Sequence, residues 1–97
     1  MTSFLIVRLG SLGDVVHAIP VAAALRAHFP AARIDWMVDP RYVDLVDLVP
    51  AVDRCIPVDP RALLRRAGRR RLLRELAEVR AVRYDAVFDL QGLLKSA

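Results

Sequence analysis

An α/β fold built on an open parallel sheet is the class that this 97-residue sequence predicts. Three observations carry the prediction. Short apolar runs recur at "FLIVR" (4–8), "RIDWMV" (33–38), "RCIPV" (54–58) and "YDAVFDL" (84–90). Helix-length segments separate them, so strand and helix alternate and the strands pair in parallel through right-handed crossovers. The second and third runs are also followed by the same pair, Asp39-Pro40 and Asp59-Pro60, in which aspartate caps a helix start and proline takes its first position.

The elements follow in order. "FLIVR" has no polar alternation and reads as a strand buried on both faces. A helix from Asp14 to about His28 comes next; nearly all of it is apolar, as expected for a helix packed between a sheet and something else. Pro20 is expected to kink that helix or to mark its true first turn. Strands at 33–38 and 54–58 each lead into a helix, and the last strand covers 84–89. Asp35 lies inside a strand expected to be mostly buried, and nothing in the pattern accounts for it. The expected strand order is 3-2-1-4, which makes the gap between strands 1 and 4 a topological switch point. Ligands of open α/β sheets bind beyond the carboxyl ends of the strands at such a point, here between the loops Gly10–Asp14 and Asp89–Lys95. A sheet that stops at strand 4 leaves an edge uncovered, so the chain reads as cut short.

Composition excludes some function classes. No apolar run approaches the roughly 20 residues of a membrane span, and the N-terminus lacks a signal peptide's basic flank and cleavage site; a cytosolic chain is expected. Cys55 stands alone and reads as a small buried thiol without a chemical role. The net charge of +4 is uneven: residues 61–83 hold nine arginines against two glutamates, a local balance of +7, leaving −3 for the rest. Leu72, Leu73, Leu76 and Val79 share one face of a helix there, after a break at Gly68, with arginines largely on the others. Such a helix is either simply solvated or bound to anionic lipid or nucleic acid. No aromatic is interleaved with the arginines, which argues against single-stranded nucleic acid.

The loop "GSLGD" (10–14) lacks the lysine and hydroxyl of G-x-x-x-x-G-K-[ST] and the third glycine of G-x-G-x-x-G. Asp14 already supplies an anion where a helix N-terminus would hold a phosphate, which argues against a dinucleotide there. Asp14 is either a helix-dipole partner or a general base, and position alone leaves both open. His17, one turn later on the same face, reads either as a second ligand contact or as a hydrogen-bonded structural histidine. His28 suits the helix C-terminus and reads as structural. Asp39 and Asp59 are explained by capping.

The stretches "LIVRLGSLGDVVHAIPVAAALRAHFP", "IDWMVD", "AVDRCIPV" and "YDAVFDLQGLLKSA" closely resemble the start of the lipopolysaccharide heptosyltransferases of glycosyltransferase family 9. "DW" and "QGLLKSA" resemble the type I branch. The resemblance implies a GT-B architecture of two Rossmann-like domains, with residues 1–97 as part of the N-terminal, acceptor-binding domain. It implies inverting transfer of L-glycero-D-manno-heptose from ADP-heptose to the Kdo of the lipopolysaccharide inner core. Asp14 falls on the family's general base. The implied acceptor contacts are Ser11, Gly13 and His17 in the first loop and Gln91, Gly92 and Lys95 across the crevice. Arg61 and Arg65 lie nearest the family's basic cluster, with a loose match. Gly10 stands where close relatives usually have serine, leaving Ser11 as the loop's hydroxyl.

The resemblance further implies no metal and no cofactor, with ADP-heptose held by a C-terminal domain that these residues lack. The implied partners are the Kdo–lipid A acceptor, ADP-heptose and the anionic inner-membrane surface, with no nucleic acid. The implied location is cytoplasmic and peripheral on the inner membrane's inner face. Alone, the 97 residues are expected to be inactive. Two other readings of the residues are a non-catalytic module for a nucleotide or anionic lipid and a basic nucleic-acid binder, which gives Asp14 nothing to do.

Overall fold

The computed structural model describes residues 2–59, 61 and 84–91. Strand β1 (Ser3–Val7) leads into helix α1 (Leu12–His28) and then strand β2 (Arg33–Val38). A 3-10 turn (Pro40–Tyr42) and a short helix α2 (Val43–Asp47) connect to β3 (Arg54–Pro57), and β4 (Ala86–Asp89) closes the described elements. The sheet order is β3-β2-β1-β4 with every pair parallel, as the alternation predicts.

The absence of polar alternation in β1 and β2 has a direct cause. Phe4, Ile6, Ile34, Trp36 and Val38 pack with Val15, Ala18 and Ala22 of α1 and Val46 of α2. The intervening residues Leu5, Val7 and Met37 form a second buried cluster with Leu9 and Val58 on the opposite face. The two central strands are therefore covered on both faces, whereas the outer strands β3 and β4 are only half-buried. Pro57 costs little at the end of an outer strand, because an edge leaves one side of the backbone without ladder partners.

Pro20 neither begins nor ends a helix: α1 starts at Leu12, two residues before the expected boundary, and runs through the proline to His28. Proline removes one intrahelical hydrogen bond, and burial of Val15, Ala18 and Ala22 on either side of it holds the helix to the sheet regardless. The helix is covered on that face alone; Leu12 and Val16 are about half exposed, so among the described residues nothing sandwiches it.

Asp39 caps as expected, its Oδ1 accepting the Arg41 N–H at 2.9 Å, but the connection that follows is one 3-10 turn and five residues of helix. Asp59 accepts the Arg61 N–H at 2.9 Å in the same way. The basic helix expected within 61–83 lies, beyond Arg61, outside the described residues. Cys55 is half-buried and donates to Asp47 Oδ1 at 3.0 Å. Burial first, then the Asp47 carboxylate, push its thiol up to about 12, so it stays protonated and unreactive.

Asp35 acquires one partner from its own strand and two from distant parts of the sequence. Its carboxylate is fully buried and pairs with the guanidinium groups of Arg33 at 3.1 Å and Arg54 at 3.2 Å. The Tyr84 hydroxyl donates a short hydrogen bond to the same oxygen. One carboxylate thereby joins β2, β3 and the residue leading into β4, and pairing offsets the cost of burying its charge.

Candidate functional site

Past Val7 the backbone of β1 stays tied to both neighbours. Arg8 N–H donates to the Met37 carbonyl at 3.2 Å and Asp39 N–H to the Leu9 carbonyl at 3.1 Å, while Leu90 and Gln91 N–H both reach the Val7 carbonyl, at 3.0 and 3.1 Å. Gln91 then folds over the exit of β1, its Oε1 accepting from Leu9 N–H at 3.1 Å and Gly10 N–H at 3.5 Å. The Gly10 and Gln91 loops share one rim at the switch point, as the strand order requires.

The two glycines of the loop have different reasons. A Cβ on Gly10 would stand 3.2 Å from Cε2 of Tyr42, so this glycine packs the loop against an aromatic ring. A Cβ on Gly13 would meet nothing within 4 Å. The second glycine therefore faces open space, whereas the first is fixed by packing.

Asp14 sits in the first turn of α1 with its side chain 46% exposed. Its Oδ2 accepts from the Ser11 N–H at 3.1 Å and the Ser11 hydroxyl at 3.2 Å, the reach-back bond of a capping box. Its Oδ1 pairs with the Arg8 guanidinium at 2.9 Å. The Ser11 backbone N–H above all, and then Arg8, hold the Asp14 carboxyl below the usual carboxylate range. Arg8 is the residue that sequence reading missed. In sequence it reads as the last residue of the first strand, and the available signal is a cation closing an otherwise apolar strand at its carboxyl end, the end where ligands of open α/β sheets bind. Its other guanidinium nitrogen donates to the Leu90 carbonyl, and its own carbonyl accepts from the Trp36 indole at 3.0 Å.

Among the described residues the remaining candidates make no contact with the Asp14 carboxylate. His17 is exposed on α1, and among the described residues the Asp14 carboxylate touches Ser11 and Arg8 rather than its ring. His28 is structural as expected, its Nδ1 lying 2.8 Å from the Ala24 carbonyl. Arg61 is exposed beyond β3 and lies 3.9 Å from Asp59. Arg41 grips the buried Asp39 carboxylate at 2.8 Å and covers the Tyr42 ring, 5.3 Å from its centroid. Burial pushes the Asp39 carboxyl up, but the Arg41 guanidinium and N–H outweigh it and the group ends below its ordinary value. Arg65, Gly92 and Lys95 lie outside the described residues. A groove of about 530 Å³ at the amino ends of β2 and β3 is lined by Arg26, Arg33, Asp35, Asp53 and Arg54. Its arginines are committed to Asp35, Asp53 and the carbonyls of Ala32 and Ala51. Among the described residues no group of three or more His, Cys, Asp or Glu is placed to hold a metal ion, and no helix is long and apolar enough to cross a membrane.

No family model matches the sequence. Lipopolysaccharide heptosyltransferase 1 of Pseudomonas aeruginosa is 39% identical over 100 residues, covering 96% of this chain and 27% of the relative. Its Escherichia coli counterpart is 37% identical, covering 96% and 30%. The chain is similar to the N-terminal part of lipopolysaccharide heptosyltransferase 1. It spans under a third of the length of these curated relatives. The likeness to heptosyltransferase 1 extends to the fold: E. coli heptosyltransferase WaaC with ADP superposes at a TM-score of 0.73 with 35% identity, over 98% of this chain and 29% of that one. A glycosyl transferase of family 9 from Veillonella parvula reaches 0.78 at 25% identity, over 93% and 26%. E. coli heptosyltransferase II reaches 0.63 at 28% identity, over 92% and 24%, weaker than WaaC in both sequence and shape. The fold is thus a Rossmann-like α/β sheet of the kind found in the GT-B glycosyltransferases of this family.

Proposed function

We propose that this chain forms the acceptor side of an inverting heptosyltransferase, which moves L-glycero-D-manno-heptose from ADP-heptose to the Kdo of the lipopolysaccharide inner core. The observation that carries the reading is the half-exposed Asp14 carboxylate at the switch point, beside the open face of Gly13, in a chain whose relatives were solved with ADP and with an ADP-heptose analogue. In the proposed step the acceptor hydroxyl forms a C–O bond to the anomeric carbon of the heptose. The bond from that carbon to the ADP oxygen breaks, and its electron pair leaves with ADP. The hydroxyl proton passes to Asp14, so one base opposite the leaving group suffices and no covalent intermediate is needed. Ser11 and Gln91 fit this reading as residues that shape the loop around Asp14. Gly13, His17, Arg61, Arg65, Gly92 and Lys95 are the acceptor contacts it proposes, with arginine suited to an acidic sugar and its phosphates. ADP-heptose would be held by a donor-binding domain beyond these residues, and the basic segment 61–83 would rest on the anionic inner face of the inner membrane.

The test is transfer of heptose from ADP-heptose to a Kdo-bearing acceptor by the protein expressed from its full reading frame. Transfer by the wild type and its loss in Asp14→Asn support the reading. A full-length protein that folds and releases no ADP in the presence of acceptor overturns it.

A further inference from the structure

We propose that Arg8 is the positioning residue of the transfer centre, holding the Asp14 carboxylate in the one orientation that leaves an Oδ1 lone pair directed at an incoming hydroxyl. The inference rests on the reading of Asp14 as the base. It begins with a count of lone pairs. A carboxylate offers about four acceptor sites, two on each oxygen. Asp14 Oδ2 takes two donors, the N–H and the hydroxyl of Ser11, and is filled. Oδ1 takes the Arg8 guanidinium at 2.9 Å and, among the described residues, keeps one site open. Oδ1 is therefore the oxygen that receives the proton.

Ser11 by itself does not orient that oxygen, since both of its bonds end on Oδ2 and leave the carboxylate free to turn about it. Arg8 removes this freedom because it is held at three points. Its carbonyl accepts from the buried Trp36 indole at 3.0 Å, one guanidinium nitrogen donates to the Leu90 carbonyl, and another pairs with Oδ1. Its side chain is only 20% exposed. Strands β1, β2 and β4 thus meet at a single arginine. The planar fork of a guanidinium can bond a carbonyl and a carboxylate together, a task for which an ammonium has the charge but not the geometry. The hold on Asp14 has a cost: a nearby cation weakens it as a base. The two consequences have opposite signs, which makes them separable.

The test compares Arg8→Gln and Arg8→Lys with wild type in the full-length protein, reading the pH profile of kcat and the KM for ADP-heptose. Removing the cation should move the acid limb of the profile to higher pH. Loss of orientation should at the same time lower kcat by about 10²-fold, the scale expected for a displacement of about 1 Å. KM for ADP-heptose should hold, and Arg8→Lys should recover the acid limb but only part of kcat. A purely electrostatic Arg8 would shift the limb with kcat unchanged or raised, and a merely structural one would lower the melting temperature with the limb in place; either result overturns the proposal. Asp14→Asn, measured alongside, separates the two ideas. If it retains transfer, the base reading fails and the proposal falls with it; if it abolishes transfer while Arg8→Gln works at the wild-type rate, the proposal alone fails. The 97-residue chain gives an independent check, since carboxyl-carbon NMR of Asp14 should titrate at higher pH in Arg8→Gln; an unmoved Asp14 titration overturns the contact itself.

Discussion

Asp14 has two descriptions that agree on where it is and disagree on what its loss would do. As a helix-dipole partner it stabilises α1 by about 0.3 to 1 kcal/mol, and Asp14→Asn would leave turnover near normal in a slightly less stable protein. As a general base, its conversion to the amide should cost roughly 10² to 10⁴ in heptose transfer, with a nearly unchanged melting temperature. Turnover and melting temperature of the same full-length variant decide between them. Asp39 makes a different prediction, about acid. Its carboxyl lies below the unfolded value of 3.8, so its stabilising contribution is complete above that pH and is lost as pH falls through the lower, folded value. The urea midpoint should therefore drop in the acid range below about pH 4, and Asp39→Asn should flatten that part of the curve. An identical acid slope in the variant would assign the effect to other carboxylates.

At the scale of elements, the sheet is joined by side chains at both ends. At the carboxyl end, Gln91 receives the Leu9 and Gly10 amides and Arg8 reaches Leu90, so β4 shapes the loop that follows β1. At the amino end, Asp35 gathers Arg33, Arg54 and Tyr84, and Asp85 accepts the Ser3 N–H at 2.6 Å. Tyr84→Phe removes one hydrogen bond to a fully buried carboxylate and should cost about 1.5 to 3 kcal/mol, the range for bonds to charged groups. For a domain of this size each kcal/mol moves the melting temperature by about 4 to 8 °C. A Tyr84→Phe variant that melts like wild type would mean that the two arginines satisfy Asp35 alone. Trp36 and Gln91, which carry the type I resemblance in sequence, both act on the β1 loop in space. One fixes the Arg8 carbonyl and the other the next two amides.

The whole molecule divides its charge between a near-neutral or acidic body and the basic segment 61–83. In the proposed function that segment meets an anionic membrane surface, where each arginine contributes about 1 kcal/mol and the effect fades with salt. Reversing Arg69, Arg70 and Arg71 together should markedly weaken sedimentation of the full-length protein with anionic vesicles at low salt. Unchanged co-sedimentation would return the segment to an ordinary solvated role.

Strand positions, strand order and the meeting of the Gly10 and Gln91 loops at one rim were legible in the sequence because they depend on local periodicity and on the short reach of connections. "FLIVR" reads as a doubly covered strand from its unbroken apolar run, and the Asp-Pro pairs read as punctuation after the second and third strands. The early start of α1 and its passage through Pro20 were not legible, since burial against the sheet overrides a local preference against proline. Nor were two of the partners of Asp35, Arg54 on a neighbouring strand and a tyrosine 49 positions away, which join Arg33 of its own strand. The same holds for Arg8 and Asp14, six residues apart across a loop whose path Gln91 and Trp36 determine. The sequence by itself determined which residues alternate into strands and that Asp14 would stand at the crevice. Tertiary structure alone decided what touches that carboxylate, because a side-chain contact is set by how strands pair and loops close, and no local pattern encodes a distance across them.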